Sequence, residues 1–233
     1  VRLVGHYYDF LGRKRPDDLP QAPNIRYRVS RIVPGRAVNM LRRLGLSVPF
    51  ELLVKTRGDI LLFPNFLSQP SLRRKPIVAT IHDLCFLAHP EFVSDLNLHD
   101  LQHYVPKTIK RSSLVLAVSE FTKQSLQEAY AVSSDRLMIT PVPPLQKVEV
   151  SRANQDKQLK HLGIGKPYIL FVGNLEPRKN LIGLIEAYSQ LTEGLRSKHS
   201  LVLVGGAGWK NEDLLARIAT LQAEGFDIIT PGY

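Results

Sequence analysis

The chain has 233 residues, 44% of them hydrophobic and 22% charged, and carries a formal net charge of +10. A chain of this length buries roughly 70% of its unfolded-state surface, as one large domain or two modest ones. The composition excludes a disordered polymer, and with no apolar run near ~18 residues it excludes a helical membrane span. The positive excess implies attraction to phosphates, in nucleotides, nucleic acid or an anionic membrane face. Its residues come in short groups, such as Arg13-Lys14-Arg15, Arg42-Arg43 and Arg73-Arg74-Lys75, not as one stripe, which reads as a solvated surface. The one cysteine, Cys85, leaves no disulfide framework and fits a reducing, cytoplasmic compartment. No charged-then-apolar leader pattern stands at the start, so no targeting segment is expected.

In chain order, the first 58 residues read as one helix, Gly35 to Leu44, among basic loops. Apolar runs then recur at ILLF (60–63), PIVATI (76–81), LVLAV (114–118), LMIT (137–140), YILFV (168–172), LVLV (201–204) and FDII (226–229). Most are continuous, as strands covered on both faces of a parallel sheet require. Helices are predicted near 97–111, with Pro106 beginning or kinking a segment, and at 120–130, with Ser119 as cap. Residues 141–166 open with PVPP and stay polar, the composition of a linker or domain edge. Beyond it, Asn180 is a predicted N-cap for a helix whose Leu181, Leu184, Ile185, Tyr188 and Leu191 share a face. Leu214, Leu215, Ile218 and Leu221 repeat the pattern after Asn211. The β-α-β-α-β order from Tyr168 to Ile229 predicts half of a doubly wound sheet. The fold class is therefore α/β, two Rossmann-like doubly wound parallel-sheet domains over 1–150 and 151–233, the second incomplete.

In doubly wound sheets ligands bind beyond the carboxyl ends of the strands. There the sequence places Gly173-Asn174-Leu175-Glu176-Pro177-Arg178-Lys179-Asn180. Gly173 permits a sharp turn, the first helical amides favour an anion, and Arg178 and Lys179 add cationic donors, an assembly that suits a diphosphate. A solvated Arg-Lys turn is the other reading. Gly205-Gly206-Ala207-Gly208-Trp209 follows LVLV and matches neither dinucleotide nor P-loop fingerprints; it is a donor loop or a tight turn. His82 closes PIVATI, where it orients a substrate or serves structure, with Asp83 aiming the ring or capping the next turn. Cys85 reads as a buried thiol. His99 and His103 stand four apart, but no set of residues has metal-site spacing, so no metal is expected.

Taken together, YILFVGNLEPRKNLIGLIEAYSQL and LVLVGGAGWKNEDLLARI resemble the donor half of the retaining family 4 (group 1) glycosyltransferases of GT-B fold. IVATIHDLCFLAHPEFV, RSSLVLAVSEFTKQSL and DRLMITPVPP are similar to its acceptor half. The resemblance runs in order from about Asp59 onward. It implies an acceptor-side domain over 1–150 and a nucleotide-sugar domain over 151–233 that close on a donor between them. Lys179 then contacts the donor diphosphate with Arg178 assisting; Gly173 and Asn174 begin the donor loop, Asn174 standing where the family often has Arg. Gly205 and Gly206 are candidates for a further donor loop, and His82 faces the transferred sugar as catalytic residue. Glu120 is a weaker candidate near the cleft. The resemblance further implies hexose transfer with retention, mannosyltransferase-like, from a GDP- or UDP-hexose co-substrate to a glycan or lipid-linked acceptor in bacterial surface polysaccharide synthesis. No other cofactor is expected. The enzyme would be cytoplasmic, with peripheral contact to the anionic inner face of the plasma membrane.

The chain reaches Tyr233 without the family's pair of glutamates eight positions apart, and its first domain is expected to lack the family's opening strand and glycine-rich loop. A truncated chain, inactive alone, is expected. The alternative is a noncatalytic nucleotide-sugar or polyphosphate-binding module. A nucleic-acid binder has only the charge in its favour, and no nucleic-acid partner is expected.

Overall fold

A computed structural model describes residues 1–8, 21–30, 34–54, 56–144 and 149–232. Arg13, Lys14 and Arg15 lie outside them. The chain divides into two compact units, Val1–Pro143 and Pro144–Tyr233.

The first unit opens with strands β1 (Leu3–Tyr8) and β2 (Ile25–Ser30), paired in parallel from Leu3–Ile25 to Tyr8–Ser30. This corrects the expectation of basic loops around one helix and of a first domain without an opening strand. The alternation Ile25-Arg26-Tyr27-Arg28 is the period-2 signal of a half-covered strand, and Ile25 and Tyr27 are half-buried while both arginines are exposed. Helices α1 (Gly35–Arg43) and α2 (Phe50–Leu53) follow. A four-stranded parallel sheet then forms in the order β3 (Leu61–Phe63), β4 (Ile77–Ile81), β5 (Leu114–Ala117) and β6 (Leu137–Ile139). Between these strands lie α3 (Cys85–Ala88), α4 (Asp95–Arg111) and α5 (Glu120–Tyr130). Ile81, Phe86, Val105, Val115 and Leu126 are buried together in its core.

Of the two readings of Pro106, a new helical segment does not begin there: α4 runs through it. The ring removes one helical hydrogen bond, but Tyr104, Val105, Thr108 and Ile109, buried on either side of it, anchor both halves to the sheet. Helix α5 starts as predicted, with Thr122 N–H donating to Ser119 Oγ at 3.1 Å. A cavity of about 1090 Å³ in this unit is lined by, among others, Leu3–His6 of β1 and Ile60–Pro64 at β3.

In the second unit the polar stretch read as a linker contains helix α6 (Arg152–His161). The helix buries none of its residues, so the apolar stripe on which helix recognition depends is missing. The parallel sheet has the order β7 (Tyr168–Val172), β8 (Ser200–Val204) and β9 (Ile228–Gly232). Helices α7 (Leu181–Ser189), α8 (Glu193–Arg196) and α9 (Glu212–Ala223) complete the unit. Leu181, Ile185 and Tyr188 of α7 pack with Leu201, Leu203, Leu214, Ile218 and Leu221. Leu215, expected on that face of α9, is 44% exposed. Its position lies about 100° around the helix from Leu214.

Candidate functional site

Strands β7 and β8 end side by side, Val172 opposite Val204, and a glycine follows each. Gly173 takes φ +151°, a value rarely adopted by residues with a Cβ, so only glycine lets the chain leave β7 in this direction without strain. The two loops then continue the pairing. Gly173 N–H donates to Val204 O (2.9 Å) and Leu175 N–H to Gly206 O (3.1 Å), and Leu175 bridges Ala207.

A Cβ on Gly205 would stand 1.9 Å from Gly173 O, and one on Gly208 2.3 Å from Leu175 O. The Gly205 amide is also engaged, donating to Gly232 O at 3.0 Å. What Gly205 admits at close range is thus the neighbouring loop. Gly206 is freer, since a Cβ there meets only Asn174 Oδ1, at 3.7 Å. The loop carries half-buried Trp209 and ends at buried Asn211, whose Nδ2 has no acceptor among the described residues.

Held from below by this pairing, Pro177–Lys179 forms one 3-10 turn, closed by Lys179 N–H to Glu176 O (3.1 Å) and Asn180 N–H to Pro177 O (3.0 Å). Asn180 precedes α7 as predicted but is not the expected side-chain cap. It sits in the left-handed region (φ 50°, ψ 43°) and makes no capping bond. A tight turn running straight into a helix needs one left-handed residue, which asparagine tolerates better than most. The first-turn amides of α7, which have no intrahelical acceptors, therefore remain without a side-chain cap.

Arg178 and Lys179 differ sharply in surroundings. Lys179 is exposed, with no side-chain partner among the described residues. Arg178 Nη2 donates to Glu176 Oε1 at 3.0 Å, and the Glu176 side chain is only 4% exposed while that of Arg178 is 44% exposed. Glu176 lies inside the quoted motif, yet nothing in the linear sequence marks it as buried. Asn174 is exposed beside the second loop.

His82, in the first unit, follows β4 directly. Its Nε2 lies 2.9 Å from Pro64 O; a carbonyl can only accept, so Nε2 carries the proton and Nδ1 is the acceptor of the neutral ring. Phe66 packs against the ring at 5.4 Å between centroids, and Thr122 Oγ1 holds the His82 carbonyl at 3.1 Å. Of the two roles open to Asp83, the structure places capping: Cys85 N–H donates to Asp83 Oδ1 at 3.0 Å. Cys85 is half-buried, not buried as expected. Glu120 begins α5 in the open and pairs with Lys123 at 3.5 Å. His99 and His103 stack at 6.1 Å, and among the described residues no three metal-ligating side chains come together. Nor is any described helix long and apolar enough to cross a membrane.

The model of Glycosyltransferase Family 4 matches residues 3–142, and that of Glycosyl transferases group 1 matches residues 154–225. O-antigen chain mannosyltransferase B of Escherichia coli is 27% identical over 233 residues, which cover 93% of this chain and 59% of that protein. Alpha-1,3/1,6-mannosyltransferase ALG2 of Kluyveromyces lactis is 23% identical over 191 residues, 80% of this chain and 35% of its own. Among solved structures, Anabaena Alr3699/HepE in complex with UDP and glucose superposes with a TM-score of 0.57 at 17% identity, over 99% of this chain and 69% of that one. WaaG, a glycosyltransferase involved in lipopolysaccharide biosynthesis, gives 0.54 at 14% identity, over 91% and 58%. These two likenesses show a shared fold, of the GT-B class. The chain spans about three fifths of the E. coli relative, 59% of its length. Both family models match in chain order and the first takes in more than half of the residues, so the chain belongs to glycosyltransferase family 4.

Proposed function

We propose that the chain supplies the acceptor-side unit and part of the donor-side unit of a retaining glycosyltransferase, which moves a hexose from a GDP- or UDP-sugar to a glycan or lipid-linked acceptor. The observation that carries this reading is the turn Pro177–Lys179, with an exposed ammonium and uncapped helix amides at the carboxyl end of β7. Cleaving a sugar–phosphate bond leaves negative charge on the departing diphosphate, and donors fixed there lower the barrier. Lys179 and the α7 amides take that charge. In this reading these donors act without a divalent ion, with which the lack of an Asp-x-Asp pair in this sequence is consistent. His82, its Nε2 committed to Pro64 O, offers Nδ1 as acceptor to a sugar hydroxyl. Relatives that are mannosyltransferases, one of them of the O-antigen chain, support a mannose-type donor and a role in bacterial surface polysaccharide.

Titration calorimetry with nucleoside diphosphate and nucleoside tests the site. Lys179→Ala costs about 1.5–3 kcal/mol of diphosphate affinity, the worth of a charge-assisted hydrogen bond, and leaves nucleoside affinity unchanged. Equal losses for both ligands would remove the diphosphate role. In the whole enzyme His82→Ala keeps donor affinity and lowers transfer, while a chelator changes neither. Donor binding with no transfer by the whole protein would favour the noncatalytic module.

Contact with an anionic cytoplasmic membrane face belongs to the same proposal. Met40 of α1 and Leu44 at its C-terminal cap are 59% and 69% exposed beside Arg43. Arg42 and Arg43 pair with Asp100 of α4 at 2.9 and 3.6 Å, joining this stripe to exposed His99, His103 and Lys107. A basic and apolar face suits anionic headgroups. Co-sedimentation with anionic but not zwitterionic vesicles, lost in Leu44→Glu, is expected; equal binding to both would sink it.

A further inference from the structure

We propose that Glu176 is a positioning residue for the diphosphate site, acting through Arg178; the inference rests on the diphosphate reading above. Glu176 stands at the junction of both loops. Its N–H donates to Asn174 O (3.0 Å), and its carbonyl accepts from Lys179 N–H (3.1 Å). Gly208 makes the room for it, since a Cβ on that glycine would lie 3.1 Å from Glu176 Cβ. The side chain is 4% exposed, and its Oε1 accepts from Arg178 Nη2 at 3.0 Å.

A carboxylate so deeply buried must be paired to stay charged, and Arg178 is the cation it meets among the described residues. For Arg178 the consequence is orientation. Guanidinium is a rigid plane with five N–H donors. One Nη anchored on an oxygen that burial holds still fixes that plane, while the 44% of the side chain left in solvent keeps further donors facing outward. The diphosphate then meets a fork already aligned, without first ordering a long side chain. Glu176 also offsets one of the turn's two positive charges, which leaves Lys179 as the uncompensated one.

A double-mutant cycle in the full chain tests this, with UDP and GDP as probes and the matching nucleosides as controls. Glu176→Gln keeps the shape and removes the charge. On the native background it weakens diphosphate binding about 5- to 10-fold, a coupling of ordinary size for residues in contact. On an Arg178→Ala background it changes binding less than twofold, and nucleoside affinity stays constant throughout. Arg178→Lys, which keeps the charge and loses the fork, also weakens binding about fivefold and keeps the proposal open to test if Glu176→Gln fails to fold. Equal losses on both backgrounds, no loss on the native one, or tighter binding by Glu176→Gln would each overturn the role. A native protein that binds neither diphosphate refutes the site itself. Loss in Lys179→Ala with Glu176→Gln neutral refutes this inference alone.

Discussion

A methyl group on Gly205 would sit 1.9 Å from Gly173 O, whereas one on Gly206 would have only Asn174 Oδ1 within reach, at 3.7 Å. The two neighbours therefore answer differently to the same change. Gly205→Ala costs about 1–3 kcal/mol, the range for forcing an extra methyl group into a packed site, and because it displaces the loop that carries the proposed diphosphate site it is expected to weaken diphosphate binding as well. Gly206→Ala stays within about 0.5 kcal/mol. Denaturant midpoints check both, and equal effects would show that the loops are not interlocked. The sequence showed that glycines follow both strands. It did not show that one of them receives a neighbouring carbonyl, because that neighbour lies 32 positions away along the chain. The same holds for Arg178, legible as a cation but not as one already paired.

At the scale of elements, side-chain ties hold the second unit's layers. Arg217 of α9 meets Glu186 of α7 through two bonds of 2.5 and 3.0 Å, and Tyr188 OH of α7 donates to His199 O at 2.9 Å, just before β8. Asp227, ahead of β9, accepts from Ser200 Oγ at 2.7 Å and pairs with Lys166 at 3.0 Å. The Ser200 hydrogen bond, and then Lys166, hold its carboxyl below the usual range against the opposing effect of burial. A depressed acid stabilises the fold above its unfolded value, near ~3.9, and that contribution disappears as pH falls through the folded value. Asp227→Asn is thus expected to lower the urea midpoint at pH 7 and to differ little from the native chain near pH 2. A constant difference across that range would mean that the carboxylate's charge contributes nothing. Helices α7 and α9 were legible because their apolar faces repeat at helical spacing. Helix α6 was not, since it buries nothing.

For the molecule as a whole, β7 carries the main tension between sequence and surroundings. Its run YILFV suits a strand covered on both faces, yet among the described residues it is an edge of its sheet, with Leu170 51% and Val172 69% exposed. Exposed apolar edges invite pairing with other chains. The net charge of +10 opposes that association at long range and is screened by salt. The 233-residue chain is expected to self-associate as salt rises, and Leu170→Lys to suppress it. Light scattering that stays flat from low to high salt would refute the expectation.

What the sequence determined by itself was local and periodic: seven apolar runs that became strands, the capped start of α5, the faces of α7 and α9, and a cationic turn after β7. Each is written within a dozen residues, where spacing maps directly onto a strand or helix face. Tertiary structure alone decided which strands lie at sheet edges, which glycine packs against backbone, and that Glu176 is buried under Arg178. Those outcomes depend on groups distant in the chain and adjacent in space, and their energies come from burial and pairing that no linear window contains.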